Sequence, residues 1–122
     1  MAEHNELGKL GEEKAADFLM HKGYQIVDRN WHFHHKEVDI IAYDGDVLVI
    51  VEVRTRTSSH LMHPRESISP MKVRYLVLAA DAYVRYKKID SRIRFDIVTC
   101  LPVNKTDWQV EHIEKAFTAQ VE

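Results

Sequence analysis

The sequence predicts an α/β protein whose elements follow the order α-β-β-β-α-β-β. Two segments place apolar residues at helical spacing, one near the N terminus and one after residue 68, and β-branched runs lie between and after them. The run Val-Leu-Val-Ile-Val at 47–51 is apolar on both faces, which is typical of a central strand covered on both sides. With 122 residues, the chain has the length of one domain, and we expect a single domain over residues 1–122.

The first helix is predicted at about residues 5–22, and Gly23 stands where a glycine commonly ends a helix. A strand is predicted over residues 24–33, with Arg29-Asn30 as a point of irregularity, followed by a turn at 34–36. The helical stripe consists of Leu7, Leu10, Gly11, Ala15, Phe18 and Leu19.

Two further strands are predicted at 37–43 and 47–54, because Asp44-Gly45-Asp46 separates two β-branched runs and Asp-Gly is a strong hairpin signal. After a polar loop, Ser69-Pro70 predicts the start of a helix that runs to about Lys87, since serine is a good N-cap and proline fits the first turn. Strands at 94–101 and 108–113 and a short helical turn at the C terminus complete the prediction.

Composition excludes several classes of protein. Hydrophobic residues make up 45% and charged residues 30% of the chain, which argues against a disordered protein. No apolar run approaches the roughly 18 residues of a membrane span, and the charged N-terminal segment does not resemble a secretory signal. The single Cys100 cannot form an internal disulfide. We therefore expect a cytoplasmic protein without a membrane partner.

Charge is distributed unevenly along the chain. Residues 1–53 contain 5 Lys/Arg and 11 Asp/Glu, whereas residues 54–100 contain 10 Lys/Arg and 4 Asp/Glu. This asymmetry is compatible with a metal site beside a groove for a polyanion. Charge alone favours the simpler interpretation, in which the segments interleave in space and neutralise each other.

Two acidic residues, Asp39 and Glu52, interrupt the predicted strands of the hairpin. If Asp44-Gly45 forms a two-residue turn, Asp39 opposes Ile50 and is a diagonal neighbour of Glu52 on one face, roughly 7–8 Å away at Cα. A four-residue loop would instead pair Asp39 directly with Glu52, and a three-residue loop would separate them. The Asp-Gly signal favours the two-residue turn.

Carboxylates that share a partly buried face repel each other and lose hydration. A divalent cation relieves both effects, and oxygen ligands favour Mg²⁺ or Mn²⁺. The alternative is a pair of carboxylates in salt bridges with Arg54 and Arg56. Two charges that border helical apolar stripes, Glu12 and Lys72, flank the pair and favour a functional site.

Several blocks of the sequence resemble the YraN-like bacterial family and, more broadly, the PD-(D/E)XK endonuclease-like superfamily. The blocks that carry this resemblance extend over about residues 8–117. The blocks are Gly8-x-x-Gly11-Glu12-x-x-Ala15, Gly23-Tyr24, Arg29-Asn30-Trp31, Glu37-Val38-Asp39-Ile40-Ile41-Ala42, Val51-Glu52-Val53-Arg54-Thr55-Arg56, Lys72, Arg94-Phe95-Asp96 and Ala116-Phe117.

This resemblance implies a restriction-endonuclease-like core, similar to that of archaeal Holliday-junction resolvases. It implies that Glu12, Asp39 and Glu52 surround Mg²⁺ or Mn²⁺, with the backbone carbonyl of Val53 completing the set of ligands. The sequence departs from the superfamily pattern at Arg54, which stands in place of a lysine. Arginine stays protonated and cannot accept a proton from water, but it can stabilise charge on a phosphate, and Lys72 can replace the missing lysine.

Two functions are compatible with these residues. One is a metal-dependent nuclease acting on DNA, with Glu12, Asp39, Glu52, Arg54 and Lys72 in the catalytic site. The other is a non-cleaving domain that keeps the fold and binds nucleic acid or a protein partner. We expect DNA contacts through a basic segment at 54–74, which has a balance of +4, and a homodimer is a further expectation. Its basic residues are Arg54, Arg56, Arg65, Lys72 and Arg74.

Overall fold

A computed structural model describes residues 2–57 and 68–118, which form two helices and five strands. The predicted α/β class and the order of the elements are confirmed. Neither helix in these two ranges is long and apolar enough to cross a membrane. The elements are α1 (Ala2–His21), β1 (Gln25–Phe33), β2 (Lys36–Asp44), β3 (Val47–Thr55), α2 (Pro70–Lys87), β4 (Arg92–Pro102) and β5 (Trp108–Phe117).

The strands form one mixed sheet in the order β1-β2-β3-β4-β5. Neighbouring strands are antiparallel except β3 and β4, which are parallel and are separated in sequence by α2. As predicted, β3 is the central strand. Val49 and Val51 pack in the cluster that contains α1, whereas Leu48 and Ile50 pack in the cluster that contains α2, so both faces of β3 are covered.

The helix boundaries follow the predicted capping signals. Gly23 has a φ of 95°, a left-handed conformation that glycine adopts easily just after a helix. The Ser69 hydroxyl accepts a hydrogen bond of 3.1 Å from the backbone N–H of Lys72, and Pro70 begins α2. The Ser69 cap and Pro70 fix where α2 starts and therefore where Lys72 lies.

The predicted turn of the β2–β3 hairpin is wrong by one residue. Asp44 pairs with Val47, so the two central residues are Gly45 and Asp46 rather than Asp44 and Gly45. The physical reason is that Gly45, with a φ of 61°, takes the first central position, where a type II′ turn requires a positive φ. Consequently Ile50 opposes Ile41 rather than Asp39.

The predicted helical turn at the C terminus is also wrong for the residues that the structure describes. After Ile113 the chain continues in β5 to Phe117, whose ring stacks on that of Phe95 at 4.8 Å between centroids. The backbone N–H of Lys115 donates a hydrogen bond of 3.1 Å to Asp96, which holds this end of β5 against β4. Long-range partners on β4 therefore override the local sequence.

Helix α1 approaches β3 so closely at Gly11 that a side chain has no space there. A Cβ on Gly11 would collide with Thr55 Oγ1 and come within 3.2 Å of Thr55 Cβ. We expect Gly11→Ala to lower the free energy of unfolding by about 1–3 kcal/mol, because the helix or Thr55 must shift. Urea unfolding measures this change.

Gly8 is the matched control: its added Cβ meets nothing within 4 Å, and Gly8→Ala should instead stabilise α1 by up to about 1 kcal/mol. Equal effects of the two substitutions would contradict the close approach.

Candidate functional site

Strands β2 and β3 separate at one end of the sheet, and the predicted carboxylates lie at this opening. The last main-chain pair between them is Ile40 with Val51, and continuing this register by one residue places Asp39 opposite Glu52. Beyond this point β2 pairs only with β1, whereas β3 pairs with β4. We call this region the strand opening, defined by Asp39, Glu52 and Val53.

A side-chain hydrogen bond follows the last main-chain pair. The carboxylate of Asp39 accepts a hydrogen bond of 2.8 Å from the backbone N–H of Val53. Direct opposition of Asp39 and Glu52 is the arrangement that the sequence predicts for a four-residue loop. The observed turn produces the same pairing with two central residues, Gly45 and Asp46, and keeps both carboxylates together. The hairpin therefore brings the two acids to one place although the predicted turn was shifted.

Burial disfavours the charged forms of both carboxylates. Burial, followed by the negative charge of Glu52, raises the pKa of Asp39 to about 7, against the lowering effect of the Val53 hydrogen bond. The pKa of Glu52 is also raised by burial, although the charges of Lys72 and Arg54 lower it. A strongly raised carboxyl pKa beside a second carboxylate is a common property of functional sites.

Lys72 reaches the opening from the first turn of α2. Its Nζ lies 3.5 Å from Oε2 of Glu52, whose side chain is only 13% exposed. The charge of Arg56 also lowers the pKa of Glu52, so Arg54, Arg56 and Lys72 all act on this carboxylate. Lys72 thus contacts one member of the acidic pair. One of the two carboxylates, that of Glu52, therefore forms an ion pair with a basic residue, Lys72.

Glu12 approaches the same opening from α1. Its Oε1 accepts a hydrogen bond of 3.0 Å from the side-chain amide of Asn30, and its charge contributes to the raised pKa of Asp39. A cleft of about 360 Å³ lies on this side of β3. Its lining consists of Leu7, Gly8, Glu12, Val53, Thr55, Arg56 and Thr57.

Two residues at the site were missed by sequence reasoning. Asn30 holds Glu12, and its signal was the irregularity predicted at Arg29-Asn30, which its φ of 51° confirms. Tyr75 donates a hydrogen bond of 3.1 Å to the carbonyl of Phe33. The pKa of Tyr75 is raised by burial and then by the charge of Asp39. Within a helical apolar stripe, Tyr75 cannot be distinguished from a core residue by sequence alone.

Of the other predicted contact residues, one is exposed on α2 and one lies outside the described part of the chain. Arg74 is exposed on α2. Arg65 belongs to residues 58–67, outside the described residues. The Arg54, Arg56 and Lys72 side chains are therefore the basic groups that the structure connects to Glu52.

The carboxylate oxygens of Asp39 and Glu52 are ligands that suit a hard divalent cation. Within residues 2–57 and 68–118, no three His, Cys, Asp or Glu side chains are grouped as a ready metal-binding cluster, so Glu12 does not complete a triad with Asp39 and Glu52. Mg²⁺ is commonly bound by one or two carboxylates together with water and substrate phosphates. Burial first, and the charge of Glu52 second, disfavour the ionised form of Asp39, and a bound cation would favour that form.

Fold and site together define an α/β protein with an acidic, lysine-flanked opening between the two strands of a hairpin. The chain belongs to the family whose model is described as "Uncharacterised protein family UPF0102", which matches residues 11–100. This match confirms the resemblance to the YraN-like family, and it includes Glu12, Asp39, Glu52 and Lys72.

Similar proteins cover almost the whole chain. A UPF0102 protein of Parabacteroides distasonis is 46% identical over 119 residues, which are 98% of this chain and 98% of that protein. A UPF0102 protein of Flavobacterium psychrophilum is 45% identical over 117 residues, 96% of this chain and 98% of its own. Another, from Christiangramia forsetii, is 42% identical with the same coverage of both chains.

Proposed function

We propose that this protein is a metal-dependent, nuclease-like protein that binds DNA and hydrolyses phosphodiester bonds. The observation that carries the proposal is the convergence of Asp39 and Glu52 at the strand opening, with Lys72 in contact with Glu52. A carboxylate pair beside basic residues suits a cation and a phosphate at one place. The resemblance to the PD-(D/E)XK superfamily supports the same chemistry.

Asp39 and Glu52 are proposed to hold Mg²⁺ or Mn²⁺, together with the backbone carbonyl of Val53. When bound, the cation supplies Lewis-acid stabilisation of the charge on phosphate and activation of water. Arg54 and Lys72 are proposed to contact the phosphate oxygens, because both carry positive charge next to Glu52. Arg56, Arg65 and Arg74 are proposed to contact the neighbouring backbone phosphates of the DNA.

The proposed reaction is a simple hydrolysis. A water oxygen bonds to phosphorus while a phosphorus–oxygen ester bond breaks. One proton of the attacking water passes to bulk solvent, and the leaving alkoxide takes up a proton from solvent. Arg54 cannot accept that proton, so its role is to stabilise charge on the phosphate.

A second candidate function is favoured by one observation. Arg54 occupies the position where the superfamily has a lysine, and a domain with this substitution can bind nucleic acid or a protein partner without efficient cleavage. Both candidates share the fold and the basic residues. They differ in whether phosphodiester bonds are broken.

The test is a cleavage panel with duplex, single-stranded, flapped and four-way DNA in the presence of Mg²⁺ or Mn²⁺. Wild type, Asp39→Ala and Arg54→Lys are compared, and gel shifts at low salt record binding separately. Cleavage that is lost in Asp39→Ala and increased in Arg54→Lys is the expected result. Equal background cleavage in all three proteins, with binding retained, supports the non-cleaving domain. Absence of both cleavage and binding would contradict the proposed action on DNA.

A further inference from the structure

We propose that aromatic side chains at the β1–β2 turn form a stacking surface for unpaired bases of DNA beside the strand opening. We call this surface the aromatic platform, defined by Phe33, His34 and Tyr75. The inference rests on the proposed function, because it names the kind of DNA that the protein would take, which is DNA with unpaired bases. It starts from the contacts of the Phe33 ring with the other two rings.

The rings of the aromatic platform form a continuous surface between β1 and α2. The centroid of the Phe33 ring lies 4.3 Å from that of His34 and 5.7 Å from that of Tyr75. The Tyr75 hydroxyl donates a hydrogen bond of 3.1 Å to the Phe33 carbonyl, which ties α2 to the end of β1. Phe33 and Tyr75 are partly buried, whereas His34 is exposed, so the His34 ring is the part of the platform that a base can reach most easily.

The backbone of His34 is strained at a position where glycine fits better. Phe33 pairs with Lys36, so His34 and His35 are the two central residues of the turn. The φ of His34 is 59°, and two-residue hairpin turns with a positive φ at the first central position favour glycine there. Backbone strain of this kind clusters at functional sites, so the His34 ring, which glycine would lack, is a candidate for contact with a ligand.

Positive charge adjoins the aromatic platform and favours nucleic acid as its occupant. Nζ of Lys36 lies 5.4 Å from the centroid of the Tyr75 ring. Lys72 precedes Tyr75 by three residues on α2, a spacing that makes two side chains neighbours on the surface of a helix. Aromatic rings for the bases, together with cations for the phosphates, are the combination by which proteins bind single-stranded DNA.

Lys72 also links the aromatic platform to the strand opening, because its Nζ lies 3.5 Å from Oε2 of Glu52. A phosphate next to a base on the platform would therefore lie near Lys72 and close to the proposed cation site. Bases inside a duplex are covered by their neighbours, so the platform can stack on a base only where the strand is unpaired. We therefore expect DNA with a single-stranded segment to bind more tightly than fully paired DNA.

The test compares a duplex that has a single-stranded overhang with a blunt duplex, at low salt and in EDTA so that no bond is cleaved. The overhang carries 2-aminopurine, whose fluorescence falls when it stacks on a ring. Wild type is expected to bind the overhang DNA more tightly and to quench this fluorescence. His34→Asn removes the ring but tolerates a positive φ, so the variant is expected to fold. It should weaken binding of the overhang DNA at least about 5-fold, the lower end of what one base–aromatic stack contributes, and leave the affinity for the blunt duplex unchanged.

Two further variants separate stacking from charge and from folding. His35→Asn removes the same type of side chain from the neighbouring position of the turn and should bind the overhang DNA as wild type does. His34→Gly should weaken binding of the overhang DNA as His34→Asn does, although it relieves the strained backbone and should raise the midpoint of urea unfolding.

Three results would overturn the inference while leaving DNA binding intact: wild-type affinity of His34→Asn for the overhang DNA, equal losses in His34→Asn and His35→Asn, or equal affinity of wild type for the two DNAs. Equal weakening of both DNAs by His34→Asn would indicate a phosphate contact instead of stacking and would also overturn it. Absence of binding of wild type to both DNAs would overturn the proposed action on DNA and the inference together.

Discussion

Asparagine in place of Asp39 is expected to make the protein more stable at pH 8, although it removes a carboxylate that the proposed function requires. Burial and then the charge of Glu52 raise the pKa of Asp39 from 3.8 to about 7. The folded protein therefore binds a proton more tightly than the unfolded chain between these two values, and stability falls as the pH rises through this window. The loss of stability caused by ionised Asp39 reaches its full size above pH 7.

We expect Asp39→Asn to raise the free energy of unfolding by about 2–4 kcal/mol at pH 8 and to have little effect at pH 4, where Asp39 is mostly protonated in the folded state. Asparagine keeps an oxygen that can accept the Val53 hydrogen bond. Urea unfolding of both proteins at the two pH values measures the difference.

Glu37 provides the control for this prediction. It lies on the same strand, but its side chain is 42% exposed and is 3.1 Å from His32. Glu37→Gln should change stability little at pH 8. Destabilisation by Asp39→Asn at pH 8 would show that the carboxylate contributes more through its contacts than it loses by burial beside Glu52.

The largest destabilisation is expected from Asp96→Ala, on β4 opposite Val51 of β3. Asp96 is fully buried and accepts hydrogen bonds of 2.9 Å from Nε and 2.9 Å from a terminal nitrogen of Arg94. Nε2 of His112 lies 2.7 Å from the same carboxylate, and the Lys115 N–H donates to it. Removing Asp96 leaves the buried imidazole of His112 without its carboxylate partner and takes one of two close carboxylates from the guanidinium of Arg94, which keeps Asp44 at 2.9 Å.

Such a loss of one partner in a buried ionic cluster costs about 3–5 kcal/mol, which is the decrease that we expect in the free energy of unfolding of Asp96→Ala. Burial alone would raise the pKa of Asp96, but the hydrogen bonds from His112 and Arg94 outweigh it and lower the pKa. The stability that Asp96 provides is therefore present above pH 3.8 and is lost as the pH falls through the lowered value. Thermal and urea unfolding at pH 7 measure the effect.

Asp46 offers a matched control, because it lies 3.8 Å from Arg92 in a pair with side chains 90% and 81% exposed. Asp46→Ala should leave stability unchanged within error, as exposed ion pairs contribute little. A small effect of Asp96→Ala, similar to that of Asp46→Ala, would contradict the role of the buried cluster.

Local signals were sufficient to predict most of the fold. The doubly apolar run at 47–51 predicts a central strand, and Ser69-Pro70 and Gly23 predict helix ends, because each depends on chemistry within a few residues. The hairpin register was less certain, since Asp44-Gly45-Asp46 offers two positions for a two-residue turn. The structure selects the position that places Gly45 first.

Features that depend on distant partners could not be predicted in the same way. The strand at residues 114–117 is held by Asp96 and by the stacking of Phe117 on Phe95, residues separated in sequence by about 20 positions. Arg94 and Asp96 stood out only as part of a family block, and nothing local indicates that His112 joins them. Likewise, Asn30 contacts Glu12 across 18 residues, so the sequence suggested an irregularity at Asn30 but not its partner.

The candidate site was accessible from sequence because its two carboxylates lie on adjacent strands of one hairpin. In the observed register Asp39 lies opposite Glu52, and in the predicted register it would be a diagonal neighbour on the same face. The error in the position of the turn therefore did not separate the two carboxylates. Lys72 was accessible because its helix start was fixed by a capping serine. Glu12 was predicted as a third ligand, and its contact with Asn30 shows that its approach depends on β1.

The central claim is that Asp39 and Glu52 form a divalent-cation site, and Mn²⁺ calorimetry in two buffers of different ionisation enthalpy tests it most directly. At pH 6.5 wild type should bind Mn²⁺ and release a proton, because the pKa of Asp39 is raised to about 7 and the cation requires the charged form. Proton release should decrease at pH 8.5. Asp39→Asn should lose binding, and Glu37→Gln should retain it. Equal Mn²⁺ affinity in wild type and Asp39→Asn would contradict the account.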